Sequence, residues 1–209
     1  MNEITIVAAT KYFKPEEIMK IIEGGIYHIG ENYVQDLLLK YNFIKEKTDK
    51  KIYWHFIGHL QKNKVKKIID FIDFIQTLDS VELAEEINKR AKRKVSCFIE
   101  INSGREPQKS GILPEEFSSF IEKIKKFENI RIEGVMTMGP LVENPEDIRP
   151  YFRLTREIFE KLKEDKDIGK EVRYLSMGMS DTYKIAIEEG ANMIRIGRKI
   201  FEFLKNPQH

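Results

Sequence analysis

Short apolar, β-branched runs alternate along this chain with longer stretches whose apolar residues recur at helical spacing. The runs at 4–10, 27–30, 53–58, 74–78, 96–102, 132–138, 173–177 and 193–197 predict eight strands. Between them, 15–23, 32–45, 60–70, 81–92, 114–127, 150–163 and 181–189 carry the period of amphipathic helices. Chemical punctuation marks several boundaries. Pro15, Pro114 and Pro150 stand at first-turn positions, where the missing N–H costs nothing. Gly24-Gly25 and Gly190 provide helix endings. Ser80 is placed to cap its helix, with Glu82 and Glu85 near the positive end.

Strand–helix alternation predicts a parallel sheet covered by helices. Eight units, without Gly-x-Gly-x-x-Gly after the first strand, favour a closed (β/α)₈ barrel of TIM type over an open dinucleotide-binding sheet. A chain of 209 residues suits one compact α/β domain. Its expected extent is 1–202, followed by a short frayed tail at 203–209. The long loops 103–113 and 139–149 follow strands, which places them on the functional face.

Composition narrows the function. The 36 basic and 34 acidic residues leave a net charge of +2, which gives no bulk electrostatic pull towards nucleic acid. The apolar runs are too short to span a membrane, and the polar start does not resemble a signal peptide, so a cytoplasmic location is expected. Cys97 is the only cysteine, which excludes an intramolecular disulfide or a cysteine-based metal site. Four scattered histidines without paired spacing predict no metal.

The candidate chemistry gathers after the strands. Lys11 leaves the first strand at the barrel mouth. Partial desolvation there would lower its pKa and free the amine for Schiff-base chemistry; a surface lysine ending a strand is the alternative. Asn32, after Gly30-Glu31, offers either a mouth-facing amide or a helix cap. His55, between large apolar neighbours, reads as a satisfied core histidine, and His59 as solvent-facing. Lys62, Lys64, Lys66 and Lys67 read as a solvated face. Glu100 and Asn102, with the loop bearing Arg105, Lys109 and Ser110, place polar groups after the fifth strand. The segment 175–201 carries the strongest signal. Ser180 suits a helix N-terminus beside an anion, and Ser176 lies in the same turn. Arg195 interrupts an apolar strand, a costly place for a charge without a ligand or carboxylate partner. Gly197 and the N–H of Arg198 offer a second phosphate cradle.

The segments ATK, GENYVQ, WHFIGHLQKNK, KSGI, GVMTM, LSMGMS and IRIG, in this order over nearly the whole chain, together resemble the pyridoxal phosphate homeostasis family, whose barrel is alanine-racemase-N-terminal-like. The resemblance implies that Lys11 holds pyridoxal 5′-phosphate as a Schiff base. It implies that Ser180, Gly197 and Arg198 bind the phosphate, that Arg195 faces the pyridine nitrogen, and that Asn32 lies close to the cofactor. An arginine there disfavours the protonated ring, which weakens its action as an electron sink; related racemases nevertheless work with this arginine. The implied function is homeostasis of the vitamer, with delivery to apo-enzymes. A small amino-acid racemase is the alternative. No C-terminal β-domain follows the eighth strand, so the tyrosine acid/base and the dimerisation surface of racemases are absent from the sequence, and a monomer is expected. Arg198 replaces a usual threonine, His59 a common proline, and no helix precedes the first strand.

Overall fold

A computed structural model of the protein describes residues 3–206. Eight parallel strands close into a barrel in sequence order: β1 (Thr5–Ala9), β2 (His28–Glu31), β3 (Tyr53–Phe56), β4 (Phe74–Leu78), β5 (Val95–Glu100), β6 (Ile130–Met136), β7 (Tyr174–Ser176) and β8 (Met193–Ile196). Pairing of β8 with β1, from Thr5 opposite Met193 to Ala8 opposite Ile196, completes the closure. Each strand falls on an expected run, because the apolar β-branched segments can be buried on both faces only in such a sheet.

Helices α1 (Pro15–Glu23), α2 (Val34–Lys45), α3 (Val65–Ile68), α4 (Val81–Arg90), α5 (Phe117–Ile124), α6 (Arg149–Lys163), α7 (Tyr183–Glu188) and α8 (Arg198–Lys205) surround it. The proline start of α1 is reinforced by Glu17, whose carboxylate accepts from the Lys14 N–H at 2.7 Å. Ser80 caps α4 as expected, accepting from the Leu83 N–H. The helix expected over 60–70 is shorter, a 3₁₀ turn at Lys62–Lys64 running into the four residues of α3. That segment buries only a narrow stripe, Val65 and Ile68, beneath exposed lysines.

The chain end corrects the expected tail. Residues 203–205 belong to α8, and Ile200, Phe201 and Leu204 pack on the core at helical spacing. Phe201 meets Phe13 edge-on, with ring centroids 5.2 Å apart. Residues 207–209, the remainder of that expected tail beyond Asn206, lie outside the described residues.

The main core fills the layer between strands and helices. Inside the barrel, Val7, Phe74, Phe98, Met136 and Met193 form a smaller cluster, with Met138 and Tyr174 against it. Polar side chains share that interior: His55, Gln76, Ser176 and Arg195 are all buried. Among the described residues no helix is long and apolar enough to cross a membrane, and no group of metal-ligating side chains gathers.

Candidate functional site

The strands end together at one mouth of the barrel, and the polar side chains gather there. Lys11 follows β1 after a single buried residue, Thr10. The Thr10 hydroxyl bonds the Glu31 carboxylate, while the Lys40 ammonium, reaching in from α2, donates to the Thr10 carbonyl at 2.7 Å and to Glu31 at 2.6 Å. The backbone entering Lys11 is therefore clamped by a buried ion pair. Burial pushes the Glu31 carboxyl upwards, and the bonds from Lys40 and Thr10 offset only part of that.

The Lys11 side chain itself is exposed. Its ammonium sits 5.0 Å from the ring centre of Tyr12 and 5.7 Å from that of Tyr33, within cation–π range of both. This corrects the expected desolvation. The neighbouring Tyr12, with Tyr33 adding to it, holds the Lys11 pKa above the ordinary lysine value, and burial is too slight to lower it. The amine is a cation at neutral pH in the cofactor-free protein and must shed a proton before it acts as a nucleophile.

Asn32, directly after β2, is half-buried. It does not cap α2: Tyr33 is the N-cap residue and supplies no side-chain cap. Among the described residues the Asn32 amide makes no hydrogen bond within the mouth, which leaves its donors and acceptor for a ligand.

The candidate anion cradle joins two segments. Gly178, with φ +93°, turns the chain after β7; a side chain there would lie 2.5 Å from Ala186 Cβ. This turn carries Ser180 to the start of α8, where its hydroxyl accepts from the Lys199 N–H at 3.3 Å. Ser180 thus serves α8 and not α7, whose N-cap residue is Thr182. Gly197 lets β8 end against β1, since a Cβ would approach the Ala9 carbonyl to 2.9 Å. The first turn of α8, whose Lys199 N–H meets the Ser180 hydroxyl, forms with that hydroxyl a cradle suited to phosphate. The Arg198 side chain turns outwards to Asp181 and Glu202, so its backbone is the part at the cradle.

Arg195 lies in the barrel interior, 2% exposed, and donates to the Ser176 hydroxyl at 2.7 Å and the Thr137 carbonyl at 2.8 Å. No carboxylate touches it among the described residues, and burial lowers its pKa to about 10 against a partial lift from Glu100. Ser176 requires a correction. It does not join the Ser180 cradle: its hydroxyl accepts from Arg195 and donates to Gln76 at 2.7 Å inside the barrel. An extended strand turns successive residues to opposite faces, and the side chain of Ser176 is on the interior one.

Beside Arg195 a cavity of about 400 Å³ opens between the β5 and β6 loops, lined by Glu100, Asn102, Ser103, Met138 and Met179 among others. Burial raises the Glu100 carboxyl to about 7, and Asp79 adds to this. Arg105 and Lys109 are already paired, with Glu115 and Glu106. His59 is exposed as expected and meets Asp79 and Ser110. Tyr12, Lys40 and Gln76 had no signal in their local sequence; their roles arise from contacts across the barrel.

A parallel eight-stranded barrel with a lysine after β1, an arginine inside β8 and an anion cradle at the last helix defines the alanine racemase N-terminal type of protein, and the model of that family, "Alanine racemase, N-terminal domain", matches residues 8–203. Within it the chain belongs to the pyridoxal phosphate homeostasis proteins. It is 41% identical over 203 residues to the one from Aquifex aeolicus, covering 96% of this chain and 87% of the relative. It is 35% identical to the mouse protein, covering 97% and 78%. PipY of Synechococcus elongatus, solved with PLP bound, superposes with a TM-score of 0.85 at 26% identity, covering 95% of this chain and 92% of PipY. Alanine racemase of Clostridium difficile, at 16% identity and a TM-score of 0.72, shares the fold; the chain covers 53% of its length.

Proposed function

We propose that this chain binds pyridoxal 5′-phosphate across the barrel mouth, holds it on Lys11, and serves the homeostasis of that vitamer by handing it to apo-enzymes. The observation that carries this is the convergence on one mouth of a lysine amine, a cradle suited to phosphate and a buried arginine that meets no carboxylate among the described residues. Relatives named for this role, and PipY with PLP bound, support it. When bound, the cofactor supplies an aldehyde able to condense reversibly with an amine.

The protein's own groups divide the work. Ser180 and the first N–H groups of α8 hold the phosphate. Gly197 brings that cradle against the end of β1, so the anchor and the nucleophile share one rigid edge. Arg195, a cation fixed by Ser176 and Thr137, would face the ring nitrogen and disfavour its protonation. That would weaken the ring as an electron sink without excluding turnover. Tyr12 and Tyr33 keep the Lys11 amine protonated at neutral pH. The protein acts as a cytoplasmic monomer.

The test mixes the loaded protein with an apo-enzyme and, separately, with alanine in deuterated water. The expected result is activation of the apo-enzyme with no exchange of the alanine α-hydrogen. Exchange at a catalytic rate without cofactor transfer would establish the racemase instead.

A further inference from the structure

Among the described residues no carboxylate contacts the buried Arg195 cation, an arrangement that is costly unless dipoles replace the lost water. A continuous line of hydrogen bonds leads away from it through the barrel interior. Arg195 meets Ser176 at 2.7 Å and Ser176 meets Gln76 at 2.7 Å; Gln76 meets His55 Nδ1 at 2.9 Å, and His55 Nε2 meets His28 Nδ1 at 2.9 Å. The line crosses five strands' side chains, β8, β7, β4, β3 and β2, and ends at the strand end away from Lys11, where His28 stacks on Tyr53 with ring centroids 4.5 Å apart.

Donor chemistry gives this line a direction. A guanidinium only donates, so Ser176 accepts from Arg195 and passes its own proton to the Gln76 carbonyl. The Gln76 amide then donates to His55 Nδ1, and its other N–H points at the Met193 sulfur, 3.3 Å away. With Nδ1 bare, neutral His55 carries its proton on Nε2 and donates it to His28 Nδ1. Every acceptor end faces back towards Arg195, and bonds aligned in this way polarise one another.

We propose that Ser176, Gln76, His55 and His28 are positioning residues for Arg195, forming one directed hydrogen-bond chain that fixes both histidines as neutral Nε2–H tautomers and holds the guanidinium under the cofactor ring. The link to the ring rests on the proposed cofactor site, whereas the tautomers do not. Burial keeps His55 neutral, helped by the adjacent His28. Burial also lowers His28, with Asp73 opposing. Around the pair, β3 contributes Tyr53, the turn before β4 contributes Asp73, and Phe74 of β4 stacks on His55 at 4.4 Å.

Nitrogen-15 NMR of histidine-labelled, cofactor-free protein tests the chain directly. Both His28 and His55 are expected as neutral Nε2–H forms at neutral pH, and Gln76→Glu, which removes the amide donor, is expected to switch His55 to Nδ1–H. A wild-type His55 already carrying Nδ1–H, or protonated, would overturn the direction of the chain. In the second arm, Ser176→Ala weakens pyridoxal 5′-phosphate binding about tenfold, the worth of one bond to a charged group, and Ser176→Thr restores it. At the far end, His28→Ala weakens binding whereas His28→Asn, which keeps an acceptor, does not. Unchanged affinity in folded Ser176→Ala and His28→Ala proteins would overturn the positioning role. Wild-type protein that binds no pyridoxal 5′-phosphate would contradict the cofactor site, with the tautomers deciding the chain.

Discussion

A charge inside an apolar strand is visible from sequence alone, and Arg195 stands out in MIRIG for that reason. Its partner is not visible in the same way. Ser176 and Gln76 are separated by 100 residues, and only the closure of the barrel brings them together. Ser176 and Ser180 share one turn in sequence, but strand alternation sends the Ser176 side chain inside. Lys11 was likewise legible as a strand-end amine, but its tyrosine cage was not, because Tyr33 belongs to the start of the next helix. Glu100 offers a test at this scale. Its carboxyl is raised from the ordinary range to about 7 by burial, so the stability it contributes is full below its unfolded pKa and is lost as pH rises through about 7. Glu100→Gln avoids that loss. Thermal unfolding at about pH 8 should show the variant more stable by up to about 3 kcal/mol, with the difference closing towards about pH 5. A difference independent of pH would contradict the assignment.

Helix α2 does more than cover β2. Its Lys40 reaches through to the Thr10 carbonyl and Glu31, tying the helix to the residue before Lys11. Lys40→Met strands a buried carboxylate and should cost about 3–5 kcal/mol in denaturant unfolding. Pairing it with Glu31→Gln should recover most of that, because the uncompensated charge is gone. Failure of the double variant to recover would mean that packing, not the ion pair, holds this corner. Helix α8 was missed for a simpler reason: Ile200, Phe201 and Leu204 form only one apolar stripe beyond the eighth strand, too brief to separate from a tail. Because its first turn forms part of the proposed phosphate cradle, its packing should bear on binding. Phe201→Ala should lower stability by about 2 kcal/mol, less than for a fully buried ring. It should also weaken pyridoxal 5′-phosphate retention in equilibrium dialysis. Retention unaltered at full occupancy would place the phosphate elsewhere.

At the scale of the whole molecule the barrel was the most legible feature. Eight strands buried on both faces leave a plain apolar signature, and the alternation with helices fixes their parallel order. The site was less legible because it is assembled at the seam where β8 meets β1, from residues at opposite ends of the chain. Closure places Gly197 against Ala9 and sets the proposed cradle beside the strand that leads into Lys11. Light scattering of the purified protein should give a monomer's mass; a stable dimer would contradict that part of the proposal. The central claim is the attachment of the cofactor to Lys11. Its most direct test is the absorbance spectrum of the protein with pyridoxal 5′-phosphate, wild type and Lys11→Ala, before and after borohydride, followed by peptide mapping. A visible band that borohydride bleaches while fixing the cofactor's mass on Lys11, absent from the variant, is the predicted result. The same band in Lys11→Ala, or the mass on another lysine, would contradict the account.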